Sequence, residues 1–214
     1  MTRESPYAVS LKGLRNALGR FQALAGSTRF EDASELERLK ARGAELAMLL
    51  THHLVNENRF YLEALRGRDQ AAALHDLEDH ERLEPLQAAW VERLSQLDVK
   101  TTAAQAHAFY LLVSEFHAAY LAHILHEERV TERVMFERFS EAEVAAMSAA
   151  IFEHVEPAVL IASLRYIIPA QPLGERRALV ARLRGAPFFP AVIAALAEEL
   201  SPAELAQLDA SSAA

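Results

Sequence analysis

The chain has 214 residues, 51% of them hydrophobic, with 7 Gly, 8 Pro and no Cys, which suits one domain, or one domain and a small subdomain, around a real core. The lack of Cys excludes thiolate nucleophiles, disulfide frameworks, Cys-ligated zinc and iron–sulfur clusters. A net charge of −8 without a basic stripe argues against a nucleic-acid partner. No apolar run approaches the roughly 18–20 residues of a membrane span, and the opening MTRESPYAVS lacks the pattern of a signal peptide, so a cytoplasmic protein with no membrane partner is expected.

Apolar residues recur at spacings of three and four almost throughout, and no alternating β-branched run occurs, so the chain reads as all-α. The first helix is predicted at about 6–25, with Leu11, Leu14, Leu18 and Ala25 on one stripe and Gly26-Ser27-Thr28 ending it. The second starts at Ser34, placed to cap the helix while Glu37 reaches back, and runs to about 67. The third, about 69–97, contains Pro85, which cannot donate to the Glu81 carbonyl and is expected to kink it. The fourth runs over 102–139, and Ser140 with Glu143 forms a capping box for the next. Four long helices with short joins predict an antiparallel up-and-down four-helix bundle over 1–140.

Beyond it, Pro157, Pro169, Pro172, Pro187 and Pro190 punctuate shorter helices, a C-terminal extension over 141–214 packed on the bundle and ending in an Ala/Ser tail at 211–214. Leu160, Ile161, Leu164, Ile167 and Ile168 form a stripe there, read as the seam that docks the extension or, if exposed, as a homodimer face.

The nine His residues carry the chemistry. Residues four apart on a helix stack, so His-x-x-x-Glu offers a nitrogen and a carboxylate to one point. Three such pairs occur, His53/Glu57, His80/Glu84 and His123/Glu127, where about one is expected by chance. At about 100° per residue, His53 and Glu57 share the stripe of Leu46, Leu49, Leu50, Phe60 and Ala64. His123 and Glu127 fall within that of Phe109, Leu112, Val113, Phe116, Tyr120, Val130 and Val134. His80 is bracketed by Ala73, Leu77, Leu83, Val91 and Leu94. His52, His75, His107, His117 and His126 fall mostly off the stripes and read as solvated, and Glu84 lies beside Pro85 as a lesser candidate. Two inward Glu residues need compensation, which a cation with imidazole and carboxylate ligands provides. Such ligation suits non-haem iron, with manganese or zinc as alternatives. No His has a Glu three positions before it, so the Glu-x-x-His signature of ferritin-like di-iron bundles is missing.

With His-x-x-x-Glu on the second helix, an inward His on the third and His-x-x-x-Glu on the fourth, the chain resembles the hemerythrin-like (HHE cation-binding) domain family over about residues 11–139. The resemblance rests on Thr51-His52-His53-Leu54-Val55-Asn56-Glu57, Asp79-His80-Glu81-Arg82-Leu83 and His123-Ile124-Leu125-His126-Glu127-Glu128. It implies a four-helix bundle holding a non-haem di-iron centre, with Glu57 and Glu127 bridging and His53, His80 and His123 as terminal ligands. It also implies oxygen binding, oxygen or iron sensing, or the handling of nitric oxide or peroxide.

Three departures stand out. The first-helix position where the family has a His three residues before Leu-Arg is Leu11, and the third-helix His-x-x-x-His of oxygen carriers is replaced by Asp76 and His80. The oxygen carriers' His-x-x-x-x-Asp ending would fall on Glu128, which points off the stripe. Asp76, Tyr61, Tyr120, His154 or water would then complete the ligand set. A small diatomic or peroxide molecule is the expected ligand. An iron-responsive regulatory module without turnover, and a bundle with a mononuclear or lost metal site, are the alternatives.

Overall fold

A computed structural model of the chain describes residues 5–209, and every regular element in them is helical; the 211–214 tail lies outside the described residues. Helix α1 is Ala8–Ser27. Helix α2 runs over Ala33–Asn56, through a π-helical turn at Glu57–Leu62, and ends with Glu63–Arg66. Helix α3 is Gln70–Gln96. Helix α4 is Ala103–Arg138, with a π-helical turn at Glu127–Thr131. Shorter helices follow: α5 (Glu141–His154), α6 (Pro157–Ile167, continued by a 3₁₀ turn), α7 (Leu173–Leu183), α8 (Phe189–Ala197) and α9 (Pro202–Asp209).

The caps show why the long helices start where they do. Asp32, rather than Ser34, caps α2, accepting from the backbone N–H of Ser34 and Glu35. The Asp32 carboxylate, just before the helix, reaches both free amides, and Glu35 is drawn to Arg29. Thr102 and Gln105 close a capping box at the start of α4, and Ser140 and Glu143 exchange side-chain bonds with each other's backbone N–H before α5. Pro85 lies inside α3.

Two compact units share the chain. The first comprises 1–7 and 17–154, so it takes in α5, which the sequence reading placed in the extension. Its core joins Phe21 of α1, Trp90 of α3, and Phe109 and Phe116 of α4, with ring centroids 5.2–6.4 Å apart along the chain of contacts. Helix α2 comes against the same cluster at Gly43, where an added Cβ would lie 3.1 Å from Phe21 and collide with Leu94. On α3 the face turns from the expected one at its C-terminal end, since Trp90 is buried and Val91 exposed.

Helix α4 is long and apolar enough, by length and composition, to cross a membrane, with mean hydropathy 1.3 over its most apolar 18 residues. This differs from the sequence reading because its Ala and Leu residues are spread between polar ones instead of forming one run. A third of that window is buried, and the helix also carries the wholly buried His123 and Glu127.

The second unit comprises 8–16 and 155–214. The stripe read as a seam supplies its own core, where Leu164 and Ile168 pack with Val180, Val192, Leu196, Leu200 and Leu208, and Leu160 and Ile161 lie against them. Gly13 lets α1 meet α6 closely, since an added Cβ would lie 3.0 Å from the Cα of Ile167 and 3.2 Å from its backbone N. Helix propensity favours Gly→Ala by about 1 kcal/mol, but overpacking against backbone costs about 1–3 kcal/mol. Gly13→Ala should therefore lower the melting temperature, while Gly19→Ala, with open space around its Cβ, should raise it. Thermal melts of the two variants check this contrast.

Candidate metal centre

Three helices bring one group of side chains together. One ligand atom from each of Glu57, His80, His123 and Glu127 lies within 4.8 Å of the others, and all four residues are buried. His80 Nε2 is 3.5 Å from Glu57 Oε2 and 3.2 Å from His123 Nε2, which in turn is 3.0 Å from Glu127 Oε1. His53 Nε2 sits beside the group, 3.7 Å from Glu57 Oε2 and 3.8 Å from Glu127 Oε1. Each carboxylate thus stands between imidazoles from two helices. Glu84, the partner expected for His80, is exposed.

The local fold explains how the carboxylates arrive there. Glu57 and Glu127 each begin a π-helical turn, in which Glu63 N–H donates to Asn58 O and Glu132 N–H to Glu127 O, five residues back. Such wide turns are rare and cluster at functional sites. The extra residue rotates everything after it by about 100°. The buried positions after Glu57 are consequently Tyr61, Leu62 and Leu65 instead of Phe60 and Ala64. After Glu127 they are Thr131 and Met135 instead of Val130 and Val134. Both shifts deliver polar groups to the interior: Tyr61 Oη is 2.9 Å from Ser148 Oγ, and Thr131 Oγ1 donates to Asp76 Oδ2 at 2.6 Å.

An outer partner fixes the His80 imidazole. His80 Nδ1 is 2.7 Å from Asn58 Oδ1, an acceptor, so the ring's proton lies there and Nε2 turns a bare lone pair to the centre. Holding the distal nitrogen in this way is the habit of metal-ligating histidines. His123 Nδ1 faces Asp79 Oδ2 at 3.6 Å, too far for a hydrogen bond, and is buried without a hydrogen-bond partner.

The first helix contributes what no His at Leu11 could. Leu11 is wholly buried and apolar, but one turn earlier Tyr7 Oη donates to Glu57 Oε1 at 2.8 Å. Tyr7 was missed because the sequence reading considered only the position of Leu11; an aromatic hydroxyl four residues before it, on the same face, was the available signal. Of the other residues weighed for that vacancy, Tyr61 bonds Ser148, and His154 is exposed and bonded to Ala150 O. Tyr120 is buried beside His53 and His123, with an unpartnered hydroxyl. Asp76 groups with His75 and His126 instead of with the central four.

The electrostatics are those of a site built around a cation. Burial, and then the charge of Glu57, push the Glu127 carboxyl well above the ordinary carboxylate range. Burial acts the same way on Glu57, but neighbouring Glu127 and His80 and the charge of nearby imidazoles pull it below its ordinary value. Burial lowers the His123 imidazole to about 4 and also lowers His53, leaving neutral rings with lone pairs to give. Burial and the same two carboxylates raise Tyr7 well above 10.0, so it stays a donor. Glu57 Oε2, both oxygens of Glu127 and His53 Nε2 have no hydrogen-bond partner although buried. Orphans of this kind are rare in a finished core, and a cation bound by carboxylate and imidazole satisfies them together. The donor set therefore fits a metal ion.

No family model, curated protein or solved structure matches the chain.

A group whose folded pKa lies above its unfolded one stabilises the fold fully below the unfolded value and loses that contribution as pH rises toward the folded one. For Glu127 the loss begins near 4.5. Glu127→Gln should therefore stabilise the metal-free protein at pH 7 by about 1–3 kcal/mol, with little effect near pH 4. Chemical denaturation of chelator-treated protein at both pH values checks it.

Proposed function

We propose that the chain is a hemerythrin-like four-helix bundle, formed by α1–α4, that holds two non-haem iron ions and binds a small ligand such as oxygen, nitric oxide or peroxide. The observation that carries this reading is the set of unpartnered buried atoms on Glu57, Glu127 and His53, converging with the Nε2 atoms of His80 and His123. Glu57 and Glu127 would bridge the ions, since each lies between imidazoles of different helices. His53, His80 and His123 would be terminal ligands. With sulfur absent, nitrogen and oxygen donors suit iron, and manganese and zinc are the competitors.

Five protein ligands leave two ions with open positions, and iron there would supply reversible ligand binding or redox chemistry. The chain's own residues do the rest. Tyr7 holds Glu57 in place and keeps its proton. Asn58 orients His80, and the Asp79 carboxylate faces His123 Nδ1 at 3.6 Å. The Tyr120 hydroxyl, buried and unpartnered, is a hydrogen-bond donor available to a bound ligand. Phe116 and Tyr120, buried with ring centroids 5.5 Å apart, carry the aromatic core up to His123. The protein would act inside the cell.

Anaerobic reconstitution with iron(II), followed by air and azide, tests the reading. A charge-transfer band that shifts with azide and disappears in Glu57→Ala and Glu127→Ala is expected. Retention of all the iron in either variant would overturn it. Tyr7→Phe should keep the iron but weaken its retention against a chelator by roughly tenfold, the usual size for an outer partner of a metal ligand.

A further inference from the structure

A second group of metal-type ligands lies outside the centre just described. His75 and Asp76 of α3 and His126 of α4 each offer one ligand atom within 4.8 Å of the others. Asp76 is wholly buried, and Thr131 Oγ1 fixes its Oδ2. Its other oxygen, Oδ1, has no hydrogen-bond partner and lies 3.8 Å from His126 Nε2. A carboxylate oxygen aimed from the core at two imidazoles, with nothing donating to it, is the kind of buried group that calls for a ligand.

We propose that His75, Asp76 and His126 form a second site that takes one divalent cation of the borderline class, with zinc as its representative, directly from solvent. The two imidazoles lie face to face, ring centroids 3.9 Å apart and 35° from parallel. Two protonated rings so placed repel, whereas two neutral ones offer both their lone pairs to one ion. The side chains of His75 and His126 are 50% and 28% exposed, so the site is anchored on its inner side by Asp76 and open on its outer side. Two nitrogens, one carboxylate oxygen and room for water match the ligand count of an open zinc site and are too nitrogen-rich for calcium or magnesium.

Asp79 links the two sites without belonging to either. Its Oδ2 is 3.9 Å from His75 Nε2 and 3.6 Å from His123 Nδ1, while Arg82 holds Oδ1 at 2.9 Å. Asp79, already paired with a guanidinium, stays outside the ligand set, in which Asp76 supplies the carboxylate. The outer site does not depend on the identity of the inner metal.

The test uses full-length protein stripped with chelator and dialysed against micromolar zinc, with bound zinc counted by mass spectrometry and cobalt(II) absorption reporting coordination. In a Glu57→Gln/Glu127→Gln background about one zinc per chain should remain. Adding Asp76→Asn, which keeps an oxygen for Thr131, or His126→Ala should weaken it by roughly tenfold or more. If that background does not fold, wild type compared with Asp76→Asn alone should show the loss of about one zinc. Zinc uptake only at millimolar concentration, or equal uptake by Asp76→Asn and His126→Ala, would overturn the proposal. Zinc kept in the outer site of a protein that takes no iron would count against the inner reading alone.

Discussion

Two carboxylates with almost no exposed area dominate the energetics of the first unit. Glu57 and Glu127 sit among neutral imidazoles and apolar side chains, and three of their four oxygens lack a hydrogen-bond partner. Removing an ionised carboxylate from water without a partner costs several kcal/mol. The metal-free chain offsets part of that by keeping a proton on Glu127. Helices α2, α3 and α4 are thus held together at this level by groups that repel until something positive joins them. Stability is given up locally at a cluster that could hold a metal ion, and the aromatic cluster of Phe21, Trp90, Phe109 and Phe116 adds cohesion elsewhere in the unit.

The two π-helical turns are the backbone counterpart of that arrangement. Each begins at one of the carboxylates, on the two helices whose His-x-x-x-Glu pair has a buried Glu. Each widens the helix beside the cluster and then restores α geometry with its face shifted by one residue. The shift turns Thr131 toward Asp76 and Tyr61 toward Ser148, so polar residues that a regular helix would point aside become supports. The inner cluster and the outer His75–Asp76–His126 group both depend on this, since Thr131 holds the Asp76 carboxylate in place.

Much of this was legible in the sequence, because spacing along a helix dictates which residues share a face. The all-helical character, the extent of the long helices and the inward direction of His53, Glu57, His80, His123 and Glu127 follow from a period of 3.6 residues. What spacing could not show was a break in the period itself: a π turn leaves no compositional mark, so Val130 and Val134 looked buried where Thr131 and Met135 are. Tyr7 escaped because its role arises from a contact 50 positions away, with Glu57. The outer group escaped because His75 and His126, judged singly, look solvated, and only the packing of α3 on α4 brings His126 to His75 and Asp76. The N-cap of α2 moved from Ser34 to Asp32 for a local reason: the Asp32 carboxylate takes the free amides of Ser34 and Glu35, and the Ser34 hydroxyl itself donates to Asp32.

Metal content per chain, measured by mass spectrometry on protein purified without chelator and again after iron reconstitution, tests most directly whether Glu57 and Glu127 are buried to hold metal. About two iron ions per chain, with an accompanying rise in melting temperature, are expected. A chain that takes up no metal after reconstitution, and melts at the same temperature with and without chelator, would overturn the metal-centre reading.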